Sequence, residues 1–501
     1  MILRQRIWIS LVGVLIMGLT FSFQSQRSVL NGTTAAASAG QANPANSAPS
    51  IVLPSPISGA TSDPSIAIDA SGRRHVAYGI ALGSEVIYAT CAANCHLEAS
   101  WTSVAVGTKG RLGSRPIIEL TASGQPRLMY LRDDGGFSTS RPLIYNACDS
   151  NCTSAASWTE LEIIANVVFQ GLFSDFPFFA LDPQGRPRAA IRSSGSIAYL
   201  ACDANCAASA SNWTITPLNV DGLQPTIAID AAGNPHVLYQ KTDRNISTNN
   251  DILDYATCAQ NCTDAANWSI GSIFLLGIDF RDSYAIDTDS SNRPRIAFFT
   301  GNLATNEPAQ ANALIYAWCD SVCEDGTNWS GVLVGTAQGE GVAPDLLLDA
   351  NNRPHISYYN DASGYELGYA TCAANCESTA GNWTTERVES PLGYPSVLGP
   401  GCSLSSWYAT GPISLALDLA GKPQIVFVAR NLQTCGITTS ERLRLVRFID
   451  LGATGSTPTP TTGPGTPTPT TGPGTPTPPP AGTPTPPVER KNKLFVPLAT
   501  S

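Results

Sequence analysis

Pro64-Ser65-Ile66-Ala67-Ile68-Asp69-Ala70-Ser71-Gly72-Arg73-Arg74-His75-Val76-Ala77-Tyr78 opens a unit that continues through Val86-Ile87-Tyr88-Ala89-Thr90-Cys91-Ala92-Ala93-Asn94-Cys95 and ends at Trp101-Thr102. The same order of residues returns along the chain. Further copies begin near Pro116, Pro177, Pro225, Tyr284 and Pro344, each ending in a Trp, and a divergent copy begins at Pro412. Each copy divides into four short runs of apolar, β-branched and aromatic residues separated by Gly, Pro, Asn and Asp, the pattern of four strands joined by turns. Four-stranded units of roughly 40 to 60 residues repeated around a ring are the propeller answer to exposed strand edges. The expected fold is all-β: a seven-bladed β-propeller of four-stranded blades. The last copy lacks a fourth strand, and Ser50 to Ile57 precedes the first copy where such a strand would lie. The last blade is therefore expected to be closed by an N-terminal strand, which removes the free edges.

Within the unit, Asp-x-x-Gly joins the first two strands, as at Asp69–Gly72, Asp182–Gly185, Asp230–Gly233 and Asp418–Gly421. The Asp side chain is expected to accept from amides in the turn while the fourth residue takes a left-handed conformation. Two copies place Asn292 and Asn352 at that fourth position, and Asn is the next residue to tolerate it. The denser Asp spacing of a calcium loop is absent from these turns.

Tyr88, Tyr145, Tyr199, Tyr255, Tyr316 and Tyr369 each stand three positions before a Cys. Trp101, Trp158, Trp213, Trp268, Trp329 and Trp383 follow the second Cys of each pair. An aromatic repeated in every unit reads as packing between blades. The pairs Cys91/Cys95, Cys148/Cys152, Cys202/Cys206, Cys258/Cys262, Cys319/Cys323 and Cys372/Cys376 read as disulfides between facing positions across the turn from third to fourth strand, with Cys402/Cys435 as the remaining bridge. Zinc would need four ligands where each unit offers two thiols, so no metal and no cofactor is expected.

The ends differ in kind. Residues 1–26 carry the charged-then-apolar layout of a signal peptide or N-terminal anchor, and 27–47 are a low-complexity linker. The propeller is assigned to 48–451, a Pro/Thr/Gly-rich stalk to 452–487, and a short tail, a candidate sorting or attachment signal, to 488–501. With this layout and 14 cysteines, the chain reads as secreted or displayed at the cell surface. Its 29 basic against 39 acidic residues give no footprint for nucleic acid. Membrane contact is expected only through the N-terminal anchor or C-terminal attachment, and the chain is expected to be a monomer.

What repeats is scaffold, so ligand-binding residues are sought in segments that occur once. These single segments bring aromatic and charged residues together: Phe169, Phe173 and Asp175; Phe280, Arg281 and Asp282; Tyr394, Trp407 and Tyr408. A second ring, His75, Arg127, Arg188, His236, Arg295, His355 and Gln424, opens each second strand and reads as hydrogen bonding at the rim. No catalytic residue is named.

Over roughly residues 60 to 450 the blade pattern resembles the secreted bacterial propellers grouped with neuraminidase-type repeats and the sialidase-like superfamily. That resemblance implies four-stranded blades and, in the enzymes, an arginine cluster, a Tyr/Glu pair and an Asp acid. Their Ser-x-Asp-x-Gly-x-x-Trp box is not reproduced: here Asp-x-x-Gly lies in one hairpin and Trp follows the Cys pair in another. The resemblance is one of fold, and no catalytic role carries over. The expected function is a surface-displayed binding or adhesion propeller without catalytic activity, for an extracellular glycan or protein ligand. The alternative is a glycoside hydrolase or lyase of sialidase-like fold, which requires two carboxylates or a Tyr/Glu pair converging with arginines over the central channel.

Overall fold

Alternation of apolar and small residues in each unit produces strands that pair with their sequence neighbours. A computed structural model describes residues 50–56, 60–81, 85–108, 115–132, 140–168, 178–241, 252–275, 284–300, 313–334, 340–360 and 365–452. In the first unit Ala60–Ile68, Arg74–Ala81, Glu85–Cys91 and Thr102–Thr108 form an antiparallel four-stranded sheet in chain order. Three further sheets, beginning at Ile117–Leu120, Tyr284–Thr288 and Glu340–Leu348, repeat that plan. The fold is an all-β propeller of four-stranded blades. All described residues lie in one compact unit, Asn43–Ser501.

The blade count differs from expectation. Five sheets have the size of a single blade, four of them four-stranded and one five-stranded, while the sixth has seven strands. The reason is Trp213–Ile229, one strand of 17 residues. Its first part pairs with Ser196–Cys202 and its second with Pro235–Lys241, so two repeats share a strand where a loop was expected. The five-stranded sheet is also composite. Pro423–Cys435 and Thr438–Asp450 form its long hairpin, Ser414–Leu417 and Leu404–Ala409 pair with the former, and Ile51–Val52 pairs with the latter through Ile51 opposite Phe448.

The turns behave as their chemistry dictates. Asp69 Oδ1 accepts from the backbone N–H of Ser71 and of Arg73, both at 2.9 Å, and the same two bonds recur at Asp182, Asp230, Asp289, Asp349 and Asp418. Gly72 has φ +80°, and Asn292 and Asn352 have +63° and +60°.

All seven expected disulfides are formed: Cys91–Cys95, Cys148–Cys152, Cys202–Cys206, Cys258–Cys262, Cys319–Cys323, Cys372–Cys376 and Cys402–Cys435. Their placement corrects one expectation. The six short bridges do not join facing strand positions. Cys148, Cys202, Cys319 and Cys372 face Trp158, Trp213, Trp329 and Trp383 across the ladder, while Cys95, Cys152, Cys206, Cys262, Cys323 and Cys376 all sit inside the connecting turn. The connection is too long for a tight hairpin, because a short 3-10 turn such as Ala380–Asn382 precedes each Trp. Each bridge therefore closes the start of the turn upon itself. The Trp indole then locks its end, donating to the carbonyl of the second Cys at 2.7–3.1 Å.

Those indoles also join neighbouring units. Tyr88 packs on Trp158, Tyr145 on Trp213, Tyr199 on Trp268, Tyr255 on Trp329 and Tyr316 on Trp383, with ring centroids 5.1–5.5 Å apart. Trp101 of the first unit instead packs edge-on at 5.0 Å against Phe448 of the last sheet. Buried aromatic pairs of this geometry contribute about 0.5–1.5 kcal/mol each beyond area burial.

Candidate functional site

The first strand of each unit is a sheet edge, so alternate backbone N–H groups have no ladder partner and need another acceptor. Side chains from the neighbouring unit supply several. Ser65 Oγ accepts from Ile118 N–H at 3.2 Å, and Ser414 Oγ accepts from Ile66 N–H at 3.1 Å. Two carboxylates do the same: Asp287 Oδ2 accepts from Leu348 N–H and Asp345 Oδ2 from Leu415 N–H, each at 2.7 Å. Their second oxygens accept from Thr288 N–H at 2.8 Å and Leu346 N–H at 3.0 Å. Each aspartate is thereby fixed between two strands.

These inner strands enclose a cavity of about 530 Å³, lined by residues from within 64–68, 115–119, 178–181, 224–229, 284–287, 343–348 and 412–417. Four charged residues among those described line it: Arg115, Glu119, Asp287 and Asp345. All but Arg115 are carboxyls.

Glu119, Asp287 and Asp345 are each half-buried in the cavity wall. Burial, followed by repulsion from Asp287 and Asp345, pushes Glu119 up to about 8. Burial pushes Asp345 up to about 7 and Asp287 up to about 6, opposed in both by the two backbone donors. Repulsion from Asp287 adds to the rise at Asp345, and attraction to Arg115 opposes it. The Glu119 side chain differs from those of the aspartates in having no hydrogen-bond partner among the described residues. Arg115 is 8% exposed, and its guanidinium lies 5.1 Å from the centroid of the Phe178 ring, which also lines the cavity. Near neutral pH one enclosed space therefore holds both a protonated carboxylic acid and an ionised carboxylate. That division of labour is what general acid–base catalysis requires.

The residues singled out from sequence fare differently. Phe169, Phe173, Asp175, Phe280, Arg281 and Asp282 lie outside the described residues. Trp407 is 5% exposed, donates through Nε1 to Pro395 O at 2.9 Å and meets the Tyr394 ring at 5.5 Å, so it belongs to the core. Tyr394 donates to Glu389 Oε1 at 2.7 Å, beneath Arg447, whose guanidinium is 4.3 Å from its ring centroid. Tyr408 packs edge-on against Tyr365 at 6.5 Å.

The second-strand ring braces turns. His75 places Nδ1 2.7 Å from Tyr88 Oη and Nε2 3.3 Å from Asp69 Oδ2. Arg188 donates to Asp182 Oδ2 at 2.8 Å and to Asp203 Oδ1 at 2.7 Å, joining the Asp turn to the Cys turn of its unit. Burial lowers the pKa of both His75 and His355.

Glu119, Asp287 and Asp345 are the residues that sequence reasoning missed. A signal was present. Counting back from the turn residue, Glu119 and Asp287 occupy the position held elsewhere by Ala67, Ala180, Ala228, Leu347 and Ala416. Asp345 occupies that of Ser65, Ile117, Phe178, Thr226, Ala285 and Ser414. An acid replaces a small or apolar residue on an otherwise regular inner strand.

No protein-family model matches the chain. No curated protein matches it in sequence. Among solved structures the chain is similar to the polysaccharide lyase Uly1, at 11% identity and a TM-score of 0.44 over 77% of this chain and 89% of that one. It is also similar to the α-L-arabinanase of Penicillium chrysogenum in complex with arabinobiose, at 10% identity and 0.43 over 65% and 98%. The NanB sialidase of Streptococcus pneumoniae follows at 11% identity and 0.39 over 81% and 70%. The likeness is one of fold, in keeping with the resemblance to sialidase-like propellers. Each of the three is an enzyme, and the expectation of a propeller without catalytic activity does not stand beside them.

Proposed function

We propose that this chain is a glycan-cleaving enzyme, a glycoside hydrolase or lyase, working through acid–base chemistry in the channel. The observation that carries the reading is the convergence of Glu119, Asp287 and Asp345 on one 530 Å³ cavity. Its volume falls within the roughly 300–1,000 Å³ of small-molecule sites. Glu119, whose carboxyl is held protonated and has no hydrogen-bond partner among the described residues, is suited to protonating a departing glycosidic oxygen. Asp287, the most acidic of the three, is suited to acting as base or nucleophile. Phe178 lines the wall beneath the Arg115 guanidinium.

The test is incubation of the purified chain with a panel of plant, algal and animal polysaccharides. Reducing ends report cleavage by either route, and ultraviolet absorbance of an unsaturated product marks elimination, so reducing ends without that absorbance mark hydrolysis. Cleavage by wild type that is lost in Glu119→Gln supports the reading, and absence of either product across the panel removes it.

The same proposal extends to architecture. Two blades sharing Trp213–Ile229 bring the count to seven, supported by seven segments around the cavity. Ring closure by Ile51–Val52 is supported by its pairing with the last sheet and by the Trp101–Phe448 contact. Seven disulfides suit an extracellular location. In this reading a signal segment exports the monomeric propeller and the 452–487 stalk displays it.

A further inference from the structure

Resting on the glycan-cleaving reading, we propose that the channel takes glycans whose sugars carry no charge and cleaves them by hydrolysis, because its charged lining among the described residues is three carboxyls against a single arginine. Arg115 cannot serve as a general anchor for an acidic sugar. It is nine-tenths buried, lies over the Phe178 ring, and its charge already acts on Asp345. A uronate or sialate carboxylate entering this space would add a fourth acid to three that already repel one another. Like charges brought together in a desolvated site oppose binding strongly. An uncharged sugar meets no such barrier. Its hydroxyls can hydrogen-bond to the carboxyls that line the cavity.

The choice of substrate also selects the reaction. Elimination needs a proton made acidic by a neighbouring carboxyl group on the sugar, and an uncharged sugar has none. Hydrolysis balances with water alone: the bond from the anomeric carbon to the glycosidic oxygen breaks, and that oxygen takes the proton of Glu119. A water oxygen bonds to the anomeric carbon, and the proton it sheds passes to an aspartate carboxylate, restoring one acid per turnover after exchange with solvent.

The experiment compares two sets of oligosaccharides on the full chain. One set is built from arabinose, xylose, glucose or galactose, and the other carries galacturonate, glucuronate or sialic acid. Wild type is assayed for reducing ends and unsaturated product, and Glu119→Gln is titrated with both sets by calorimetry after its fold is checked by circular dichroism. The expected result is hydrolysis of at least one uncharged oligosaccharide, with acidic counterparts bound at least about tenfold more weakly. Cleavage or tighter binding of the acidic set overturns this inference while leaving the glycan-cleaving reading intact. Neither cleavage nor binding in either set overturns both. The wild-type comparison needs no variant, so a folding defect in Glu119→Gln cannot decide the matter.

Discussion

Replacing Glu119 with glutamine should make the protein more stable in mild alkali while leaving it nearly unchanged in mild acid. In the folded chain Glu119 has its pKa pushed up from 4.5 to about 8 by burial and by Asp287 and Asp345. A group whose folded pKa lies above its unfolded one contributes stability that is fully present below the unfolded value and is lost as pH rises through the folded one. A tenfold change in proton affinity corresponds to about 1.4 kcal/mol, so the full effect approaches about 5 kcal/mol. Most of it, on the order of 4 kcal/mol, falls between about pH 5 and about pH 9. Contact with water in the channel screens the charge and brings the expected loss to about 2–4 kcal/mol. The amide of the Glu119→Gln variant does not titrate, so the variant should lack this part of the slope. Asp287 and Asp345 lose stability in the same direction, but chiefly between their ordinary range and about 7, and that slope remains in the variant. Urea unfolding of both proteins at about pH 5, 7 and 9 measures the difference of slopes. Parallel curves would refute the claim that the channel forces protons onto its carboxyls, and with it the assignment of Glu119 as the acid.

Four further outcomes follow from the same structure. Removing Cys402–Cys435, which spans 33 residues, should cost about 4 kcal/mol by loop entropy, against about 2 kcal/mol for Cys148–Cys152, which spans four; unfolding of the two double Cys→Ser variants gives the ratio. Val322 occupies a left-handed position, φ +51°, where five other units place Asn94, Asn151, Asn205, Asn261 and Asn375. Val322→Asn should therefore raise stability by about 1 kcal/mol, and a lower denaturation midpoint would contradict the turn analysis. Arg447 donates to Ser50 Oγ at 2.8 Å and Ser50 O at 2.6 Å, so Arg447→Ala should destabilise by about 2 kcal/mol and speed amide exchange in Ile51–Val52. Below neutrality the sign reverses. His75 and His355, whose pKa values are lowered by burial, contribute stability present above about 6.5 that is lost as they protonate, and the His75→Gln variant should show a shallower acid slope in the same assay.

The sequence disclosed whatever is repeated. Asp-x-x-Gly revealed its turn because Asn292 and Asn352 substitute for glycine where a left-handed residue is required, and the Cys and Trp spacings disclosed their bridges and interlocking aromatics for the same reason. Spacing alone did not reveal that Cys95, Cys152, Cys206, Cys262, Cys323 and Cys376 sit within their turns, because a four-residue separation suits a facing pair and a self-closing turn alike. Trp213–Ile229 escaped because its middle carries Pro217, Asn219 and Asp221-Gly222, residues that read as a turn, whereas the strand absorbs them through positive φ at Asn219 and Gln224 and a register shift between Leu223 and Thr226. The channel escaped for a different physical cause. Glu119, Asp287 and Asp345 are separated by 168 and 58 residues in sequence, and each alone is an acid on a half-buried strand, which ordinarily faces solvent. Only when the inner strands gather around one cavity does each side chain lose water and feel the others. That repeated residues are scaffold holds within strands as well as between them. On the inner strands it singles out the positions where an acid interrupts a run of Ala, Ser and Ile. There the unrepeated residues sit inside the repeat, and their gathering from three separate units on one cavity is what sets them apart from acids that brace a single unit.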